Sequence, residues 1–422
     1  MALFRSMAYS RVTLLAARRP VHAAFAWMHN NPQTLMKWQA EMVGIPAPPF
    51  GEQVRAAWMA ERFAEAGLVD VYTDAIGNVV GWLRAEGLPP ESSGPVVVLS
   101  AHIDTVFPVE TPLQPALSQV DGGLRLDAPG ACDNGAGMAG MLAIAYALVH
   151  AKVRPAVPVV VLANVGEEGE GDLRGVRFFY QQSGLASRIA AHIILDGAGS
   201  DTAVAQALGS RRYKVTINGP GGHSFTDAGV PNPIAAMATA LSDLAQTPLP
   251  EDPRTTLNLG TIHGGTSVNS IPESATASID FRSTGTDELV RLEVALHRAV
   301  EDAVERWNAV ARALPGANRG ALTFTVEKIG DRPPGLLPAD SPLLETLRAV
   351  DRHLGLRTDL RLGSTDANIP IAMGVPAISM GAGGEGGGAH TQAEWFCDKD
   401  RELGLKRVLL LTLAIAEWAA EQ

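Results

Sequence analysis

The chain has 422 residues, 46% of them hydrophobic and 19% charged, with a formal net charge of −11. That is the composition of a soluble globular protein long enough for two or three domains. The acidic balance argues against nucleic acid or an anionic membrane as partner. Two cysteines, Cys132 and Cys397, are too few for a disulfide framework, so a cytoplasmic location is expected.

The N-terminus is mildly basic (Arg5, Arg11, Arg18, Arg19), but its longest apolar stretch, 12–17, is interrupted by Thr13 and is too short for a signal core. Residues 1–20 therefore read as a loosely held extension, and no later run is long and apolar enough to span a membrane. Helical patterning covers 32–67, broken at Gly44-Ile-Pro-Ala-Pro-Pro49 and stopped by Gly67. Residues 69–83 alternate around Gly77-Asn78, as a hairpin does.

Three apolar runs then follow, each the pattern of a strand buried on both faces of a parallel sheet. They are Pro95-Val-Val-Val-Leu-Ser100, Val159-Val-Val-Leu-Ala163 and Ala191-His-Ile-Ile-Leu195. Residues 121–130 read as a turn-rich connection, and 136–149 as a helix of small residues suited to close packing on a sheet. Near Arg211 the character changes. Strand, helix, two strands, a long helix over 287–314 and a last strand over 322–329 give a β-α-β-β-α-β order, which fits a small ferredoxin-like α+β domain. The Pro-rich 331–335 segment returns to the α/β pattern, with helices over 341–353 and 405–420 and a strand over 375–380. The expected division is thus a doubly wound α/β domain from 1–210 and 331–422, interrupted by an α+β domain at 211–330.

Strand-like segments end in His102 and Asp104, in Glu167 and Glu168, in Asp196 and, after a glycine-rich loop, in His390, while Asp133 precedes a helix. In a parallel sheet such ends share one edge, where α/β proteins bind ligands. An acid pair in a loop is ordinarily a solvated face, and a single His at a strand end is ordinarily structural. Here two imidazoles and several carboxylates meet without matching Lys or Arg, and so many unpaired acids would be strongly destabilising without a cation. Mixed His and carboxylate donors suit zinc, with cobalt or manganese as alternatives, whereas calcium or magnesium would want oxygen alone.

These segments, Ala101-His-Ile-Asp-Thr105, Ala131-Cys-Asp-Asn-Gly135, Glu167-Glu168, Gly221-Gly-His223 and Ala389-His390, resemble motifs of a known family. It is the co-catalytic zinc metallopeptidase family of peptidase T, aminoacylase, carnosinase, glutamate carboxypeptidase and succinyl-diaminopimelate desuccinylase. The resemblance implies a zinc-exopeptidase-like catalytic domain whose inserted ferredoxin-like domain is a lid or dimerisation module. It also implies two metal ions bridged by Asp133, with His102 and Asp196 completing one site and Glu168 and His390 the other. Asp104 would orient the His102 imidazole and Glu167 would be the general base. In the inserted domain, His223 would stabilise an oxyanion, and Asn269 and Arg282 would contact substrate. Arg282 could equally pair with Asp280 or Glu273, and Glu394 could orient His390 or cap the following turn.

The relatives' Arg-Gly-Gly-Thr-Asp is Leu362-Gly-Ser-Thr-Asp366 here, which departs from the pattern tied to recognition of a C-terminal carboxylate. Asp rather than Glu at 196 leans towards peptides with a free amine. The implied activity is cleavage of small peptides, a di- or tripeptidase. Deacylation of N-acyl amino acids is the alternative, and metal-dependent peptide binding without cleavage a remote third. A homodimer through the inserted domain is a further implication of the resemblance.

Overall fold

The computed structural model describes residues 2–85, 93–313 and 319–422, with side chains from residue 7 onward. These residues form two compact units: one runs to Ala207 and resumes at Leu336, and the other is Leu208–Gly335.

The first unit is built on a nine-stranded sheet. At its centre the strand Val96–His102 lies parallel to both Val159–Asn164 and Ile189–Leu195, and Ala377–Met380 continues the parallel set beyond Ile189–Leu195. The hairpin Val69–Thr73 and Val79–Leu83 adds antiparallel strands on the far side of Val159–Asn164. Every residue of Val96–His102 and of Val159–Asn164 is buried, which is why their sequences are unbroken apolar runs.

Side chains alternate across this sheet. Val97, Leu99 and Ala101 pack into one core with the helices Gly135–His150 and Arg401–Ala420. Val96 and Val98 face the opposite core with Leu173, Val176, Phe179 and Tyr180 around the helix Arg174–Gln182. Helices on both faces of a mainly parallel sheet make the doubly wound architecture expected from the sequence.

Three features differ from the sequence expectations. The N-terminus is not loose: Ala2–Ala16 is a helix with Val12 and Leu15 buried in the core. Residues 121–130 are not a simple connection, because Ala116–Val120 and Gly123–Asp127 form a hairpin. That hairpin joins Trp395–Cys397 and Glu385–Gly387 in a separate four-stranded antiparallel sheet. His390 therefore arrives from a turn within this small sheet and not from the edge of the large one.

The second unit is a four-stranded antiparallel sheet ordered Thr255–Gly264, Ser274–Ser283, Gly209–Asn218, Thr323–Arg332. The helices Pro233–Ala245 and Thr286–Ala313 bury Ala236, Met237, Leu289, Leu292 and Leu296 against Val215, Ile217 and Phe281. Read in chain order, this is the ferredoxin-like arrangement. The long helix was expected to end at Leu314, which lies outside the described residues.

Candidate metal centre

The parallel register sets the site. His102 pairs with Asn164 at the carboxyl ends of adjacent strands, so the turn holding Glu167 and Glu168 starts beside the imidazole. Asp196 follows the next strand directly, its N–H donating to the Met380 carbonyl at 3.0 Å. Asp133 stands just before the helix Gly135–His150. Asn134 caps that helix, its Oδ1 accepting from the N–H groups of Gly137 and Gly197 while its Nδ2 donates to the Leu195 carbonyl. One amide side chain thus ties the Asp133 segment to the strand that delivers Asp196.

Six of the expected residues meet in this unit. Asp133 Oδ1 lies 3.2 Å from Nε2 of His102, and Asp133 Oδ2 lies 3.0 Å from Nε2 of His390. His102 Nε2 is 3.9 Å from Asp196, and His390 Nε2 is 3.2 Å from Glu168. The donors fall into two compact sets that share Asp133: His102 with Asp133 and Asp196, and Asp133 with Glu168 and His390, while Glu167 lies in reach of His102 and Glu168.

Do these residues fit metal ions? Asp133 Oδ1 is buried yet has no hydrogen-bond partner, although an imidazole nitrogen is near. An acceptor left in that state is costly unless something positive meets it. Two imidazoles and three carboxylates, each set mixing nitrogen with oxygen, are the donor chemistry of zinc and similar ions. The fit is good.

Electrostatics tell the same story. Burial, reinforced by the Asp133 charge, pushes the Glu168 carboxyl up to about 7. The hydrogen bond to Asp133 raises the His390 imidazolium to about 9, with the Glu168 charge adding to it. Without a cation, protons are drawn into the cluster to offset its acids.

Asp104 meets the His102 imidazole through its backbone carbonyl. The His102 Nδ1 bonds the backbone carbonyl of Asp104 at 3.0 Å, while the carboxylate is 3.7 Å from that nitrogen, beyond hydrogen-bond range. The Asp104 carboxylate instead accepts the N–H groups of Glu167 and Glu168 at 3.0 and 2.8 Å. It fixes the glutamate turn, and its backbone fixes the histidine.

A family model for peptidase family M20/M25/M40 matches residues 98–414. The chain belongs to this peptidase family. Among curated proteins, the chain is 29% identical over 302 residues to a probable carboxypeptidase of Aspergillus clavatus, covering 66% of this chain and 64% of that one. It is 30% identical over 295 residues to a probable carboxypeptidase of Ajellomyces dermatitidis, covering 66% and 62%. The match thus spans a little under two thirds of the length of these relatives.

Solved structures of the same fold cover nearly all of the M20 chain. Aminopeptidase PepT of Bacillus cereus matches with TM-score 0.70 at 20% identity, over 91% of this chain and 98% of that one. A tripeptidase of Staphylococcus aureus matches with TM-score 0.69 at 24% identity, also over 91% and 98%. Human carnosine dipeptidase 1 matches with TM-score 0.67 at 15% identity, over 95% and 99%.

The remaining expected residues lie in the second unit of this M20 chain. His223 and Ser270 pair in a short ribbon, and the Ser224 N–H donates to the Asn269 carbonyl at 3.0 Å, so His223 and Asn269 share one tip. The Nδ1 of His223 accepts the N–H of Phe225 at 3.2 Å, which leaves the ring hydrogen on Nε2. Arg282 bonds Asp280 through Nε at 2.8 Å, the ion pair anticipated as the alternative to substrate contact.

Two further residues around the metal cluster make contacts that the sequence did not specify. Arg55 is fully buried and donates to the carbonyls of Ile45 and Ile103, close enough to Asp104 to offset part of its charge. The Glu394 carboxylate bonds neither His390 nor its own turn. It accepts the N–H groups of Gly130, Cys132 and Asp133. Burial pushes the Cys132 thiol up to about 12, which disfavours the thiolate that a nucleophile needs. Among the described residues, no helix is long and apolar enough to cross a membrane.

Proposed function

We propose that the protein is a dinuclear metal-dependent hydrolase that cleaves the amide bond of small peptides. The observation that carries the reading is Asp133, whose two oxygens each face a different histidine of a different donor set. A carboxylate so placed would bridge two ions, with His102 and Asp196 holding one and Glu168 and His390 the other. A Bacillus subtilis protein of similar fold is described as a dinuclear metal-binding peptidase of the M20 family, which supports a two-ion site here.

Ions bound there would polarise the scissile carbonyl and acidify a water between them. The rest of the work falls to the protein. Glu167, held in place through its own N–H by Asp104, takes the proton of the attacking water on its carboxylate and returns it to the departing amine. His223, with its hydrogen on Nε2, donates to the oxygen that becomes negative in the tetrahedral intermediate. Asn269 on the same tip is a substrate contact in this reading, while Arg282 is engaged with Asp280. The inserted unit serves as lid and as the surface of a homodimer, and the protein acts in the cytoplasm.

Small peptides are preferred as substrate because the structures of similar fold include an aminopeptidase and a tripeptidase. The curated relatives described as probable carboxypeptidases point to the other end of the peptide. Against that end, Leu362 stands where the pattern for carboxylate capture has Arg, and neighbouring Arg361 is paired with Asp359 at 3.0 Å. The test is turnover by metal-stripped protein reloaded with zinc, cobalt or manganese, on dipeptides, tripeptides, N-terminally blocked peptides and N-acetyl amino acids. Metal-dependent cleavage of peptides with a free amine is expected. Cleavage of N-acetyl amino acids alone would make it a deacylase, and stoichiometric peptide binding without products would overturn the enzymatic reading.

A further inference from the structure

We propose that Glu394 is a positioning residue for the metal centre, locking the loop that carries Asp133 to the turn that carries His390. The inference rests on the two-ion reading of the cluster and assigns a residue outside the ligand set.

The topology of the small sheet brings Glu394 there. Trp395 is opposite Asp127 in the antiparallel pair, so the residue before one strand meets the residues after the other. The Ala128 N–H accordingly donates to the Glu394 carbonyl at 3.1 Å. The side chain, 1% exposed, then reaches into the following loop. Oε2 accepts from Gly130 at 2.8 Å, and Oε1 accepts from Cys132 at 2.8 Å and from Asp133 at 2.6 Å.

On its own segment Glu394 is the last residue of a compact turn around His390. Thr391 N–H donates to Gly388, and Glu394 N–H to Thr391. One carboxylate therefore spans the two chain segments that must hold His390 Nε2 and Asp133 Oδ2 at 3.0 Å. The loop is gripped from a second direction by Gln39, whose Nε2 donates to the Ala131 carbonyl at 2.6 Å and whose Oε1 is held by buried Arg401 at 2.9 Å.

A carboxylate is needed because three donors converge on two acceptor atoms. A glutamine offers one acceptor oxygen and turns an N–H₂ donor towards the remaining backbone N–H, leaving buried donors opposed. Partners behind metal ligands typically matter by about 10- to 100-fold in metal affinity or activity.

The test is chelator competition with cobalt on full-length wild-type, Glu394→Gln and Gln39→Ala proteins, with the cobalt absorption spectrum and the melting temperature of metal-free protein recorded alongside. Glu394→Gln is expected to weaken cobalt binding at least tenfold and to alter the cobalt spectrum, while Gln39→Ala moves both in the same direction by less. Should Glu394→Gln fail to fold, Glu394→Asp, which keeps the charge but shortens the reach to the loop, carries the test with the same expected and contradicting results. Unchanged cobalt affinity in folded variants, with only the metal-free melting temperature lowered, would overturn the positioning role. Wild-type protein that takes up no cobalt would overturn the two-ion reading itself, and this inference with it.

Discussion

The Asp104 carboxylate accepts the backbone N–H of Glu168 at 2.8 Å while the Asp104 carbonyl takes the ring hydrogen of His102. A histidine from one strand end and the glutamate turn from the next are thereby fixed by one residue. The glutamates then have little freedom to adapt, which suits a site that must meet its ions and its water preorganised.

Replacement of Glu167 separates chemistry from metal binding. Glu167→Gln is expected to lower kcat by about 10²–10⁴, the usual weight of a general base, while metal content by elemental analysis stays at the wild-type level. Full turnover in a metal-replete variant would remove Glu167 from the mechanism.

His223→Ala is expected to lower kcat by about 10²–10³ with a smaller change in KM, because a donor to developing charge acts mainly in the transition state. Steady-state kinetics on a tripeptide reads the split. A pure KM effect would make His223 a substrate contact instead.

The metal-free protein should lose stability as pH rises. His390, raised to about 9 from an ordinary 6.5, contributes stability that is full below about pH 6.5 and is lost as the pH climbs through about 9. Glu168, raised to about 7 from an ordinary 4.5, loses its own contribution earlier, as the pH climbs from about 4.5 through about 7. Metal binding needs the deprotonated ligands, so its affinity moves the opposite way and releases protons. Melting curves of stripped and loaded protein from pH 6 to pH 9.5 should diverge as pH rises, and parallel curves would contradict this.

Gly137, in the first turn of the helix Gly135–His150, has no room for a side chain. A Cβ there would lie 2.1 Å from Asn134 Oδ1 and 2.6 Å from the Leu195 carbonyl oxygen. Gly137→Ala is expected to destabilise the protein by about 1–3 kcal/mol through overpacking, and to displace the cap that ties Asp133 to Asp196. Thermal denaturation measures it, and an unchanged melting temperature would show that the contact relaxes freely.

The sequence revealed the central strands because burial on both faces leaves nothing but apolar residues, as in Val159–Ala163. It revealed the cluster because acids and imidazoles end those strands without cations to match. What it hid follows from other physics. Val12 and Leu15 bury one stripe of the first helix, a signal of spacing that is invisible when only unbroken apolar runs are sought. The hairpin arms Ala116–Val120 and Gly123–Asp127 are short, mix apolar with polar residues and lie largely at the surface, so only their glycine turn stood out. Arg55 looks like a surface residue in sequence, and Glu394 like a neighbour of His390 with no partner to name. Their roles come from backbone groups brought close by tertiary structure, and no residue pattern encodes that.

The account turns on Asp133 as the bridge between two ions. Isothermal titration of stripped protein with zinc, repeated on Asp133→Ala, Asp196→Ala and Glu168→Ala, tests it most directly. The prediction is two equivalents for the wild type, one tight site weakened in Asp196→Ala or Glu168→Ala, and neither retained at wild-type affinity in Asp133→Ala. A single equivalent in the wild type, or two tight equivalents in Asp133→Ala, would contradict it.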